Sequence, residues 1–206
     1  MSQTILRRWL FKLVLAGLTA GSAGLVHAQP QAPAQQAVQL DQLLSKQAIT
    51  ELLYKYPRAL DRLDRTLLMS IGHPEAKVEF GKTVFPNWTA YTDWMMKAHA
   101  DMLGNNHRVT NILIEVRGDT AVSESTGTAT LLVKQEKGDD YEERWMHSRY
   151  LDKWSRRGGK WGLDYRQTLM DYRVVKPVSA ADVKSMYVMG QRTGAADPSY
   201  KLFGTP

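Results

Sequence analysis

The chain has 206 residues, and its 27 Lys and Arg against 21 Asp and Glu give a formal net charge of +6 at pH 7. It contains no cysteine, which excludes a disulfide framework, a thiolate metal site and a cysteine-linked lipid anchor. The basic residues form no run long enough to indicate a nucleic-acid-binding surface. The fold must therefore be stabilised by its core alone.

Residues 1–28 have the composition of a secretory signal. Arg7, Arg8 and Lys12 precede an apolar run at 13–26, and the segment contains no acidic residue. The sequence therefore predicts a secreted, periplasmic protein that keeps no stable membrane anchor after cleavage. The arginine pair suggests a twin-arginine export route, and an uncleaved anchor is the alternative.

The remaining composition divides the chain into a spacer, one domain and a tail. Residues 29–39 are rich in Gln, Ala and Pro and predict a disordered spacer. Periodic patterns cover residues 40–177, a length that suits one domain. Residues 178–206 are predicted to form a tail with a short helix at 181–189, and the three aromatic residues of this tail indicate that it docks on another surface.

Helical periodicity dominates the first half of the domain. From Leu40, apolar residues recur at three- and four-residue spacing and predict a long amphipathic helix, which Pro57 should bend or interrupt. A short helix at 65–70 and a helix at 88–103 follow, with a short strand at 76–80 between them.

The second half of the domain alternates with period two. Four strands are predicted at 108–116, 120–134, 141–154 and 160–175. Short glycine-containing turns separate them, so neighbouring strands should be antiparallel. Helices followed by such a meander predict an α+β fold, in which the helices pack on one face of a curved antiparallel sheet.

Asp61, near the end of the first helix, and His107, at the start of the first long strand, are the main catalytic candidates. If folding brings them together, the carboxylate fixes the imidazole tautomer and leaves the other ring nitrogen as a general base. This chemistry needs neither a metal nor a cofactor. The alternative is that Asp61 caps the following helix and that His107 is an inert residue at a strand edge.

Several short motifs occur in a characteristic order. They are Ile49-x-x-Leu52-Leu53-x-x-Tyr56, Ala59-Leu60-Asp61-Arg62-Leu63-Asp64, His107-Arg108-Val109-Thr110-Asn111, Arg149-Tyr150-x-Asp152 and Trp161-Gly162-Leu163-x-x-Arg166. Together they resemble the SnoaL-like family of the nuclear transport factor 2-like superfamily, over roughly residues 40–175. This resemblance implies a cone-shaped sheet closed by N-terminal helices, and a homodimer.

The resemblance also implies an activity. Asp61 and His107 match the Asp–His dyad of the branch that contains scytalone dehydratase, bile-acid dehydratase and hexachlorocyclohexane dehydrochlorinase. It implies a cofactor-independent lyase of the dehydratase type, in which His107 removes a proton, Asp61 orients His107 and Tyr56 assists the leaving group. An isomerase with the same dyad, a non-catalytic ligand-binding protein and a structural partner of a larger enzyme are the alternatives.

Four further residues are candidates for substrate binding. Arg149 and Arg166 lie in predicted strands and could bind a carboxylate or stabilise an enolate, or could instead pair with nearby acidic residues. Trp88 and Trp145 belong to an aromatic and methionine-rich set that could line a cavity for a small apolar substrate, steroid-like or aromatic. Core packing is the alternative for both tryptophans.

The histidines other than His107 show no metal-binding pattern. His73, His99 and His147 have no spacing that suits shared ligation, and His99 is expected on the polar side of its helix. No phosphate-binding loop or dinucleotide-binding motif is present. The sequence therefore predicts no metal site and no cofactor.

Overall fold

A six-stranded sheet with helices packed on one face makes up the part of the chain that the computed structural model describes, residues 33–186 and 196–203. The elements are α1 (Pro33–Asp61), α2 (Arg65–Met69), β1 (Gly72–Phe80), β2 (Thr83–Phe85), α3 (Trp88–Ala100), β3 (Gly104–Arg117), β4 (Thr120–Lys134), β5 (Tyr141–Arg157), β6 (Lys160–Val178), α4 (Ala180–Ser185) and α5 (Ser199–Phe203). The order of the strands is β2-β1-β6-β5-β4-β3.

Strands β3 to β6 form the predicted antiparallel meander. Gly118 and Gly158, in two of its turns, have positive φ angles of 60° and 55°, which tight hairpin turns require and glycine adopts readily. Strand β1 pairs antiparallel with β2 but parallel with β6. The parallel ladder was not predicted; it is possible because the whole meander separates the two strands in sequence. The predicted α+β class and curved sheet are confirmed, and the sheet does not close on itself.

Helix α1 starts earlier than the periodicity predicted. It begins at Pro33, so residues 33–39 of the predicted spacer are helical. Proline is favoured in the first turn of a helix, and the Ala and Gln residues that follow are good helix formers. Pro57 does not interrupt the helix, which continues to Asp61.

Only the second part of α1 packs against the sheet. Leu40, Leu43 and Leu44 are exposed, so the apolar pattern that predicted a buried face was wrong for these turns. Buried positions begin at Ser45. Further along, α1 contributes Ile49, Leu53 and Leu60 to a core that α2, α3 and the concave face of the sheet complete.

A buried ion pair lies in this core. Arg166 of β6 and Asp152 of β5 are opposite each other in the sheet and form two hydrogen bonds of 2.8 Å, and both side chains are fully buried. The guanidinium lies over the rings of Tyr56 and Tyr150, 4.4 and 4.3 Å from their centroids. The pair therefore fixes an aromatic residue of α1 against an aromatic residue of β5.

The end of the tail docks next to α1 and α2. The Tyr200 hydroxyl donates to the carboxylate of Asp64, and Arg58 donates to Ser199 at 3.1 Å while lying over the Tyr200 ring. Docking of the tail is thus observed for residues 196–203. Helix α4 ends at Ser185, short of the predicted 189, and residues 187–195 lie outside the described part.

Some predictions concern features that the structure does not test. Residues 1–28 lie outside the described residues, so the export signal stays a prediction, as does the homodimer. Among the described residues, no helix is long and apolar enough to cross a membrane.

Breaking the buried pair of Arg166 and Asp152 should destabilise the protein more than breaking an exposed ion pair does. Asp152→Ala leaves the Arg166 charge buried without its partner and should lower the free energy of unfolding by about 3–5 kcal/mol. The matched control is Asp171→Ala, because Asp171 pairs with Arg149 on an exposed surface. That variant should lose less than about 1 kcal/mol. Urea titration of both variants measures the difference, and equal losses would contradict this account of the pair.

Candidate active site

Asp61 and His107 are in direct contact. The Nδ1 atom of His107 lies 2.7 Å from Oδ1 of Asp61, and the backbone N–H of His107 donates to both carboxylate oxygens at 3.1 Å. Because an ionised carboxylate only accepts hydrogen bonds, Nδ1 carries the proton and Nε2 is the nitrogen that can act as a base. Both side chains are about nine-tenths buried. The geometry is that of an oriented general base.

The local structure directs the Asp61 carboxylate toward β3. The chain leaves α1 through Leu63, which has a positive φ of 52°, and α2 is then capped by Asp64, whose carboxylate accepts from the Leu67 N–H at 2.8 Å. The alternative that Asp61 is the helix cap is therefore wrong. Asn105 of β3 donates to Leu60 O at 3.4 Å and so adds a second link between α1 and β3.

The dyad lies at a small cavity between α3 and the concave face of the sheet. The cavity has a volume of about 150 Å³, and its lining is mostly apolar, with four methionines. These are Met95, Met102, Met146 and Met170. A larger hollow of about 580 Å³ lies on the outer face of the sheet, lined in part by Glu115, Glu124 and Lys153. Since neither dyad residue lines that hollow, the small cavity is the candidate active site.

Tyr56 lines the cavity and is bound to a second phenol. Its hydroxyl lies 2.5 Å from that of Tyr91, and burial, with Tyr91 beside it, raises the pKa of Tyr56 well above its ordinary value. Burial likewise raises the pKa of Tyr150, which lines the cavity from β5. Both phenols therefore keep their protons at neutral pH. They can donate a hydrogen bond to an oxyanion but are poor sources of a proton.

Two hydroxyl groups in the cavity differ in how they are satisfied. Ser148 donates to Gly127 O at 2.9 Å. Thr168 is 4% exposed, and its hydroxyl has no hydrogen-bond partner within the described part of the chain. A buried hydroxyl without a partner is unfavourable, so Thr168 offers a hydrogen bond to a polar group of a ligand.

His99 is the residue that sequence reasoning missed. It was expected on the polar side of α3, but it is 5% exposed and lines the cavity. Its ring centroid is 5.3 Å from that of His107. The buried positions Tyr91, Met95 and His99 are four residues apart, so helical spacing from Met95 could have placed His99 on the buried face.

The four predicted substrate-binding residues do not lie at the cavity. Arg166 is held by Asp152, and Trp88 is fully buried with its indole N–H donated to Leu68 O at 2.9 Å. Arg149 pairs with Asp171 on the surface. Trp145 is exposed on the outer face of the sheet. Its neighbour Met146 lines the cavity, and successive residues of a strand point to opposite faces.

The cavity is lined instead by neighbours of these residues. Trp88 and Trp145 were predicted to line the cavity. The residues that do so are Trp94 of α3 and Met146, which follows Trp145 on β5 and points to the opposite face. For metals, the described residues contain no group of three or more His, Asp or Glu side chains suited to bind an ion.

Comparison with known families agrees with this fold. Residues 41–167, more than half of the chain, match the model of the SnoaL-like domain. The chain belongs to the SnoaL-like domain family. It therefore also belongs to the nuclear transport factor 2-like superfamily, as predicted. No curated protein matches the chain.

Three solved structures illustrate the range of this fold. A hexachlorocyclohexane dehydrochlorinase, LinA-type3 from Novosphingobium barchaimii LL02, is 19% identical with a TM-score of 0.58, over 73% of this chain and 98% of that one. A candidate scytalone dehydratase from Novosphingobium aromaticivorans is 17% identical with a TM-score of 0.57, over 75% and 95%. Rv3472 from Mycobacterium tuberculosis, of unknown function, is 23% identical with a TM-score of 0.55, over 68% and 76%. At these identities the likeness establishes the fold.

The unsatisfied Thr168 hydroxyl leads to a stability prediction. Thr168→Val keeps the shape of the side chain and removes the unpaired group, so the free energy of unfolding should stay unchanged or rise by about 1–2 kcal/mol. The control is Ser148→Ala in the same cavity. This variant loses a hydrogen bond, so its free energy of unfolding should fall by about 1 kcal/mol. Urea denaturation compares the two. A clear destabilisation by Thr168→Val would mean that its hydroxyl is satisfied in the free protein.

Proposed function

We propose that the protein is a cofactor-independent lyase that eliminates a small leaving group from a small apolar substrate. The observation that carries the proposal is the contact of 2.7 Å between Asp61 and His107 at an apolar cavity. Membership of a family whose structural relatives include a dehydrochlorinase and a candidate dehydratase supports it.

The dyad would act on a carbon-bound proton. His107 Nε2 removes the proton, the electrons of the C–H bond form a carbon–carbon double bond, and the leaving group departs with the electrons of its own bond. Asp61 accepts from Nδ1–H throughout and stabilises the imidazolium that forms. A positioned base of this kind contributes about 10²–10⁴-fold to the rate.

An imidazole removes a carbon-bound proton readily only if that proton is acidified. A neighbouring carbonyl does this, because the negative charge then develops on its oxygen. Tyr56 and Thr168 line the same cavity, and we propose that their hydroxyl groups donate to such an oxygen. A ketone or similar carbonyl compound is therefore the substrate type that we propose.

The cavity limits the size of the substrate. Pockets for drug-sized ligands measure about 300–1,000 Å³, whereas a cavity of about 150 Å³ accommodates one benzene ring. The observed volume of about 150 Å³ suits one six-membered ring. A single-ring substrate is therefore favoured over a steroid.

A non-catalytic binding protein is the alternative, because an apolar cavity with an unsatisfied hydroxyl would also bind a small ligand without turnover. The two functions differ in what the dyad does. A binding protein does not need a base, whereas the lyase does.

The dyad can be tested with 3-hydroxycyclohexanone, whose loss of water gives cyclohexenone with its ultraviolet absorbance. We expect wild-type turnover, and a decrease in kcat of about 10²–10⁴-fold in Asp61→Asn and in His107→Gln, since each loses the oriented base. The control variant is Asp93→Asn, which changes an exposed carboxylate paired with Arg65. It should turn over as the wild type does.

Binding of cyclohexenone, followed by NMR chemical-shift changes, separates the two functions. Retained binding with lost turnover in Asp61→Asn supports the lyase. Binding without turnover in the wild type would establish the binding protein instead.

A further inference from the structure

The docked end of the tail, residues 196–203, contacts the end of α1 from which the Asp61 carboxylate reaches His107. Three residues of α1 and of the turn after it make these contacts, and all lie within three positions of Asp61. They are Arg58, Arg62 and Asp64. We propose that the docked tail positions the Asp61 carboxylate, so that the oriented base depends on the tail. The inference deepens the proposed function and rests on it.

The turn that ends α1 is strained. The Asp64 N–H donates to Ala59 O at 2.8 Å and the Leu63 N–H donates to Leu60 O at 3.3 Å, which are the two hydrogen bonds of a Schellman helix ending. This ending puts Leu63 in the left-handed region, with a φ of 52°. Glycine is the usual residue there, because a side chain is unfavourable in that conformation. A strained residue persists where its surroundings hold it, so this turn needs support from outside α1.

One support acts on Asp64, the residue after the strained leucine. The Tyr200 hydroxyl donates to one oxygen of the Asp64 carboxylate, and the other oxygen accepts from the Leu67 N–H at 2.8 Å. Tyr200 and Asp64 are 6% and 9% exposed. Because a buried carboxylate is unfavourable unless its oxygens accept hydrogen bonds, the tyrosine is tied to this position. The tail is thereby joined to the first turn of α2.

A second support acts on two arginines, one in the last turn of α1 and one directly after it. Arg58 donates to Ser199 at 3.1 Å, and its guanidinium lies 4.6 Å from the centroid of the Tyr200 ring. Arg62 Nε lies 3.1 Å from Oδ2 of Asp197, which is 6% exposed. Such contacts are stronger where water is excluded. The tail therefore contacts the chain on both sides of the strained turn.

The position of the Asp61 carboxylate has little tolerance. It must meet the ring Nδ1 of His107 at 2.7 Å and the backbone N–H of His107 at 3.1 Å. A displacement of about 1 Å takes such contacts beyond hydrogen-bond range and can lower a catalysed rate by about 100-fold. Neither Tyr200 nor Asp197 lines the cavity. The tail thus affects the base without contacting the substrate.

A tail that only stabilises the fold would make the same contacts but have a different effect. It would raise the unfolding temperature and leave the His107 ring unchanged in the folded protein. A tail that positions Asp61 changes the state of that ring in protein that is still folded. Measurements well below the unfolding temperature therefore separate the two roles.

A tail variant for the test combines Tyr200→Phe with Asp197→Asn in the full chain. It removes the hydroxyl that binds Asp64 and the charge that pairs with Arg62, and it keeps the size of both side chains. The matched control is Tyr54→Phe, which removes a hydroxyl from an exposed position of α1. Circular dichroism checks folding, and Tyr200→Phe alone, with the same readouts, replaces the tail variant if the two changes together impair it.

Nitrogen-15 NMR of His107 and steady-state kinetics give the readouts. In the tail variant, the share of neutral His107 rings with the proton on Nδ1 should fall, because the carboxylate that selects this tautomer is displaced. With 3-hydroxycyclohexanone, kcat should fall about 10-fold or more and KM should change less than about threefold. The control variant should match the wild type in the tautomer, kcat and KM.

Relief of the strain in the turn gives a second test. Glycine adopts the left-handed conformation readily, so Leu63→Gly should let α1 end in the same way without support from the tail. In a Leu63→Gly background, the changes of the tail variant should lower kcat less than about threefold and leave the tautomer of His107 unchanged. Equal losses with leucine and with glycine at this position would overturn the inference, because the tail would then act elsewhere than at the turn.

Failure of the inference and failure of the lyase function give different results. If the wild type does not convert 3-hydroxycyclohexanone, the lyase function fails, and the NMR readout still decides the role of the tail. If the tail variant unfolds at a lower temperature but keeps the tautomer and kcat of the wild type, the tail only stabilises the fold and the inference is overturned. A shift of the tautomer together with a selective loss of kcat supports the inference.

Discussion

The carboxylate of Asp61 is the interaction on which the site depends. It accepts from both the backbone and the ring of His107, a residue 46 positions away in sequence, and so ties the end of α1 to β3. Burying a carboxylate is unfavourable unless its oxygens are hydrogen-bonded, and these contacts supply the bonds. The contacts that hold the two elements together therefore also select the tautomer of the imidazole.

The buried pair of Arg166 and Asp152 holds in place two tyrosines of the cavity next to the dyad. Its guanidinium lies over the rings of Tyr56 and Tyr150, two residues that line the cavity and pack edge to face on each other. Gly127 makes room for this packing, because a Cβ at that position would collide with the Tyr150 ring. Arg166, a substrate-binding candidate from the sequence, thus supports two residues of the cavity lining and does not line the cavity itself. The cavity is small and mostly apolar.

Periodicity was sufficient to predict the α+β fold and the meander, and the family resemblance singled out Asp61 and His107 as a pair. They did not predict which face of the sheet each strand residue occupies, as Trp145 and Met146 show. A β-bulge shifts the register between β5 and β6 near these residues. A shift of one residue moves a side chain from one face of the sheet to the other. The sequence offered several acidic residues as partners for Arg166. The register of β5 and β6 is what places Asp152 opposite it. His99 was missed because histidine was assumed to be solvated, although its spacing from Met95 fitted the buried face.

The state of the His107 ring tests the central claim most directly. Nitrogen-15 NMR of the histidine side chains distinguishes protonated from unprotonated ring nitrogens, and His107→Gln assigns the signals. An oriented base requires a neutral ring at mildly alkaline pH with the proton on Nδ1, donated to Asp61, and none on Nε2. In Asp61→Asn this preference should weaken. A neutral ring with its proton on Nε2 in the wild type would contradict the account, because the nitrogen proposed to act as the base could not accept a proton.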